Sequence, residues 1–204
     1  MDFEFNQLTL LSLFALIISL RYLVSVSRGV RPVLILSKQK IPAERFIESL
    51  PVAAVGLTAA LILRKIFTPH IGAFLAAGFN MPTAIQQIGF LIALLSFALL
   101  IAGYWSLGNN WRVGTGEEAQ KELVQTGIYS FTRNPVYLFF NLYLFGFFLL
   151  NGDYLILVLN AIVVLSLHRV ILEEEKLLHE RFGGIYQNYT ESTPRYFFTF
   201  NILN

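Results

Sequence analysis

Residues Arg133-Asn134-Pro135-Val136-Tyr137 could hold an anion. Asn followed by Pro is the N-cap and first-turn pair of a helix, since Pro lacks an N–H and none is needed there. The unpaired N–H groups of a helix start favour negative charge, and Arg133 beside them adds a cation. A carboxylate or phosphate fits such a place; the plainer alternative is that Asn-Pro only starts a helix. A second polar stretch, Glu173-Glu174-Glu175-Lys176-Leu177-Leu178-His179-Glu180-Arg181-Phe182, reads as a helix ended by Gly183-Gly184. Its carboxylates can accept hydrogen bonds from a ligand's hydroxyl or amino groups, or form a solvated face. Tyr186 and Tyr189 beyond it read as interfacial belt residues. His179 has no second His at ligand spacing, and His70 and His168 stand apart, so no metal site is expected. Without cysteine there is no thiolate chemistry and no disulfide.

The elements that must position these stretches are apolar. The chain is 55% hydrophobic and 14% charged, against about 25% charged in a soluble domain, so it would lack the polar surface to fold in water. Apolar runs cover about Leu8 to Val26, Leu50 to Leu63, Ile85 to Leu107, Val136 to Leu150 and Tyr154 to Leu167. The first and third are long enough to span a bilayer core, which takes about 20 residues. The last two have about 15 residues each, roughly 22 Å of helix, and read as a short hairpin turning at Asn151-Gly152-Asp153. Residues 66–82, with Pro69, Gly72, Gly78 and Pro82, read as an interfacial loop. Asp2 and Glu4 precede the first run where a signal peptide needs positive charge, so that run is expected to remain as an anchor.

Charge sets the orientation. With the N-terminus outside, segments 21–49, 108–135 and 169–204 hold 13 of the 15 basic residues, and only Arg64 and Lys65 fall outside. Both polar stretches then face the cytoplasm, because the hairpin between them returns the chain to the side it left. Asn188-Tyr189-Thr190 matches a glycosylation acceptor but falls on that cytoplasmic side. A net charge of +2 and the lack of a basic patch interleaved with aromatics speak against a nucleic-acid partner.

Between residues 105 and 197 the chain carries, in order, Leu107-Gly-Asn-Asn-Trp111, Leu123-Val-Gln-Thr-Gly-Ile-Tyr129, Arg133-Asn-Pro-Val-Tyr137, a hairpin, Glu174-Glu175 with Leu178, Phe182 and Gly183, Tyr186 and Tyr189, and a final Arg195. This order resembles the isoprenylcysteine carboxyl methyltransferase and phospholipid methyltransferase family of integral membrane enzymes. The resemblance implies S-adenosyl-L-methionine as cofactor, held between the two polar stretches. It implies that Lys121, Glu122, Leu123, Val124 and Tyr129 lie along the adenosine. Asn134, Pro135, Val136 and Tyr137 would approach the cofactor at the helix start, and Glu174 would be its acidic contact. Arg133 and Arg169 are the arginines that could serve the reaction beside Glu174. Asn134 stands where the family usually has His. Arg169 has the family's spacing to the acidic pair only if that pair is Glu173-Glu174, and no Pro follows Arg195.

The expected architecture is all-α and membrane-embedded, with about five membrane helices, the last two a short helical hairpin, and a cytoplasmic helical tail. Residues 1–104 form the N-terminal membrane helices and 105–204 the catalytic half. The expected activity is methyl transfer from S-adenosyl-L-methionine to a lipophilic acceptor from the bilayer, either an isoprenylcysteine-type carboxylate or a lipid amine. The alternatives are an NADPH-dependent membrane reductase of the sterol type and a non-catalytic membrane protein.

Overall fold

The structure, a computed structural model, describes residues 3–27, 42–70, 77–107 and 122–197. Helices α1 (Phe3–Ser27), α2 (Pro42–Phe67), α3 (Thr83–Leu107), α4 (Pro135–Asn151), α5 (Tyr154–Phe182) and α6 (Gly184–Ser192) follow one another among the described residues, with a 3-10 turn at Gly127–Ser130. Three of them, α1, α3 and α5, are long and apolar enough to cross a membrane, while α4 is apolar but shorter.

The expected short hairpin is only half present. At 17 residues α4 is about 25 Å long, but α5 runs unbroken for 29 residues, about 43 Å. Hydropathy falls after Leu167, yet no Pro or Gly interrupts the chain before Gly183. Helix propensity therefore carries α5 on through the acidic stretch, so that the apolar half and the glutamates share one rigid rod. Gly152 closes α4 in the left-handed region, φ +73°, and donates its N–H to the Phe148 carbonyl at 2.7 Å.

The succession of helices gives the bundle two distinct ends. At one end the start of α1, the end of α2 and the α4–α5 turn meet. There Lys65 Nζ lies 3.1 Å from Asp153 and 3.3 Å from Asn151 Oδ1, which also accepts from Gln7 Nε2 at 3.0 Å. Residues 77–79 pair with the turn through Phe79 N–H to the Gly152 carbonyl and Tyr154 N–H to that of Ala77, both 2.9 Å. At the other end the end of α3 meets the segment before α4.

Lipid tails are as apolar as the side chains, so burial alone cannot hold such helices together; close packing and interhelical hydrogen bonds do. The most extensive interface joins antiparallel α3 and α4, where Gly89 and Ala93 meet Gly146. Phe14, Phe97, Phe139, Tyr143 and Phe147 pack through the core, some stacked and some edge to face, with centroids 5.0–6.1 Å apart. The Tyr143 hydroxyl donates to the Leu10 carbonyl at 3.2 Å, and Asn160 Nδ2 on α5 donates to the Leu144 carbonyl on α4 at 3.0 Å.

Candidate functional site

At the far end of the bundle, the end of α3, residues 122–134, the start of α4, the distal half of α5, α6 and residues 193–197 converge. Gly127 adopts φ +65°, which favours glycine, and a Cβ there would meet Ser106 Oγ, so glycine suits the close approach of the 3-10 turn to α3. The turn then delivers Tyr129 and Arg133 to the start of α4.

Pro135 opens α4 and Asn134 occupies the cap position, as the sequence indicates, but the Asn134 side chain does not cap the helix. Its Nδ2 donates instead to the Arg195 carbonyl at 3.2 Å. Thr132 Oγ1 donates to the same carbonyl at 3.1 Å and accepts the Asn134 N–H at 3.3 Å. The Arg133 N–H donates to the Pro194 carbonyl at 3.0 Å. Residues 132–134 are thus fastened to the tail, and the first turn of α4 has no side-chain cap competing for its N–H groups.

From α4, the Tyr137 hydroxyl donates to Glu174 Oε1 on α5 at 2.7 Å. The neighbouring Glu175, turned about 100° round the helix, faces arginines. Arg133 Nη2 lies 3.0 Å from Glu175 Oε1, and Arg195 grips the same carboxylate with Nε at 3.0 and 3.1 Å and Nη2 at 2.7 Å. The Glu175 and Arg133 side chains are only 14% and 10% exposed, so water screens this pair weakly, while Arg195 is 34% exposed. The hydrogen bond to Glu175 is the main reason the Arg195 guanidinium is held above its ordinary pKa.

Tyrosines wall the cluster. Tyr186 and Tyr189 are 3% and 5% exposed, which corrects the reading of them as belt residues. Gly183, at φ +52°, ends α5 and turns α6 back so that both phenols point inward. Tyr189 donates to the Tyr129 carbonyl at 2.6 Å. Burial, followed by the charge of Glu174, pushes the Tyr129 phenol well above its usual range. Burial likewise raises Tyr189, to about 12, and Tyr186. All three are neutral near pH 7, and the Tyr189 hydroxyl is already committed to the Tyr129 carbonyl. His168 Nδ1 lies 2.9 Å from the Tyr196 hydroxyl, a further tie between α5 and the tail.

Of the residues singled out from sequence, Tyr129, Arg133, Asn134, Pro135, Val136, Tyr137 and Glu174 come together here. Glu122 is exposed and Leu123 and Val124 half-buried on the approach to the 3-10 turn; Lys121 lies outside the described residues. Arg169 is exposed on α5, five residues and about 140° round the helix from Glu174. Sequence reasoning gave no role to Glu175, Arg195 or Thr132. The third glutamate of the run and the last arginine were visible, but their meeting depends on the course of α6.

The family model described as phospholipid methyltransferase matches residues 85–185. The match runs from the start of α3 to the start of α6, and so takes in Tyr129, Arg133, Tyr137, Glu174 and Glu175. No curated protein matches the chain.

Proposed function

We propose, for a chain that belongs to the phospholipid methyltransferase family, that it moves the methyl group of S-adenosyl-L-methionine to a phospholipid amine reached from the bilayer. One observation carries this reading: Arg133, Tyr137 and Glu174 converge at an uncapped helix start. Those groups suit the cofactor's polar parts. The first-turn N–H groups of α4 and Arg133 would receive a carboxylate. Arg133 Nε is buried with no hydrogen-bond partner among the described residues, a donor in want of an acceptor. Glu174, steadied by Tyr137, would accept from ribose hydroxyls or the α-amino group. Bound there, S-adenosyl-L-methionine supplies an electrophilic methyl. The chain's own part is to align the acceptor with that methyl and to keep water out, which the buried tyrosines favour. A lipid ammonium must first lose a proton, so an amine acceptor calls for a base, whereas an ionised isoprenylcysteine-type carboxylate would need only an arginine to orient it.

Calorimetry on the detergent-solubilised protein tests the cofactor. S-adenosylhomocysteine should bind in the micromolar range, on the order of −8 kcal/mol. Saturable NADPH binding with no response to S-adenosylhomocysteine would reverse the reading in favour of a reductase.

The proposed topology is five crossings, with the N-terminus outside and the site cytoplasmic. It is supported by the 13-to-2 division of basic residues and by the two ends of the bundle. Exposed positions in this cysteine-free chain make it testable: in intact cells an impermeant thiol reagent should label His70→Cys and spare Ser192→Cys. Labelling at 192 alone would invert the arrangement.

A further inference from the structure

We infer that Glu175 is a positioning residue whose single carboxylate holds two arginines, Arg133 and Arg195, in place to receive an anionic group of a ligand at the start of α4. The inference rests on the methyltransferase reading and extends it to two residues that reading does not use.

Three observations lead there. First, both oxygens of Glu175 are already engaged. Oε1 accepts from Arg133 Nη2 and Arg195 Nε, and Oε2 from Arg195 Nε and Nη2. The carboxylate therefore acts through the arginines, whereas Glu174 meets the Tyr137 hydroxyl. Second, two guanidiniums share the Glu175 carboxylate, which leaves one positive charge on this triad although Glu174 brings a further carboxylate to the site, and Arg133, only 10% exposed, is the less screened of the two. A ligand anion would balance it, and the unpartnered Nε of Arg133 offers that anion a hydrogen bond. Third, Arg195 is fixed from behind. Its carbonyl takes hydrogen bonds from Thr132 and Asn134, and the Pro194 carbonyl takes one from the Arg133 N–H. The diversion of the Asn134 side chain to this carbonyl also leaves the helix start uncapped, so the same bonds that place Arg195 open the anion position.

The anion has two possible sources, the carboxylate of the cofactor's amino-acid end and the phosphate of the acceptor headgroup. The experiment uses full-length Glu175→Gln protein with three probes. S-adenosylhomocysteine carries the carboxylate, 5′-deoxy-5′-methylthioadenosine lacks it, and glycerophosphoethanolamine carries the phosphate. If the arginines serve the carboxylate, S-adenosylhomocysteine affinity falls about tenfold or more while methylthioadenosine changes by less than about twofold. If they serve the phosphate, only glycerophosphoethanolamine binding weakens. Glu175→Asp should recover part of the loss, and Glu175→Gln combined with Arg195→Met should be little worse than the worse single change. Parallel loss of both nucleosides would make Glu175 merely structural and overturn the inference. So would unchanged binding of all three probes, or losses that add in the double variant, which would mean a direct contact by Glu175. If the parent protein binds neither nucleoside, the cofactor reading falls, and the phosphate probe alone decides the role of Glu175.

Discussion

Glu174→Gln should weaken S-adenosylhomocysteine binding by about 1.5–3 kcal/mol, roughly 10- to 150-fold, with little change in thermal stability. The substitution keeps the shape of the side chain and can still accept the Tyr137 hydroxyl bond, now 2.7 Å long. What it removes is the charge that would strengthen hydrogen bonds from the cofactor's hydroxyl or amino groups. Glu173→Gln is the matched comparison, the same chemical change turned about 100° round α5, and should cost under about 0.5 kcal/mol. Tyr137→Phe should reproduce part of the Glu174 loss, because the carboxylate then loses the hydroxyl that helps to orient it. The two changes should also be less than additive when combined, since they act on one contact. Equal losses at Glu173 and Glu174 would count against Glu174 as a cofactor ligand. A larger loss at Glu173 would instead favour Glu173-Glu174 as the acidic pair and return Arg169 to consideration.

The parts of this site that were legible in sequence are those held by short-range rules. Asn134-Pro135 announces a helix start because the pyrrolidine ring fits only the first turn, and Arg133 and Tyr137 come with it on the same few residues. The membrane helices announce themselves by apolar length, and the Asn151-Gly152-Asp153 turn by glycine's tolerance of positive φ. Features that depend on phase or on distant chain were not legible. The length of α5 was hidden because its hydropathy changes halfway while its backbone does not. Glu175 and Arg195 are 20 residues apart and meet only because Gly183 redirects the chain into α6. Asn134 looks like a cap in any local reading; the Arg195 carbonyl that claims its side chain is 61 residues away.

Gly146→Leu should be strongly damaging to the packing of α3 on α4, at the upper end of the about 1–3 kcal/mol that overpacking costs, or beyond it. A Cβ on Gly146 would lie 2.6 Å from the Gly89 carbonyl oxygen and 2.7 and 2.8 Å from Cβ and N of Ala93. A Cβ on Gly89 would in turn lie 2.7 Å from the Gly146 carbonyl oxygen, so here the two backbones pack directly on each other. No rotamer relieves a clash with backbone. The helices must move apart, and because association in lipid relies on such packing, little else restores the loss. The movement also reaches the site, since α3 carries Ser106 against Gly127 while α4 carries Val136 against Gly103 and Tyr137 against Glu174. Gly56→Leu on α2 provides the comparison. A Cβ there meets nothing within 4 Å, and replacing a helical glycine should stabilise the protein by about 0.5–1 kcal/mol. Thermal denaturation in detergent should therefore move the two variants in opposite directions, with S-adenosylhomocysteine affinity falling only for Gly146→Leu. A Gly146→Leu protein as stable as Gly56→Leu would show that α3 and α4 do not rely on backbone contact at this crossing.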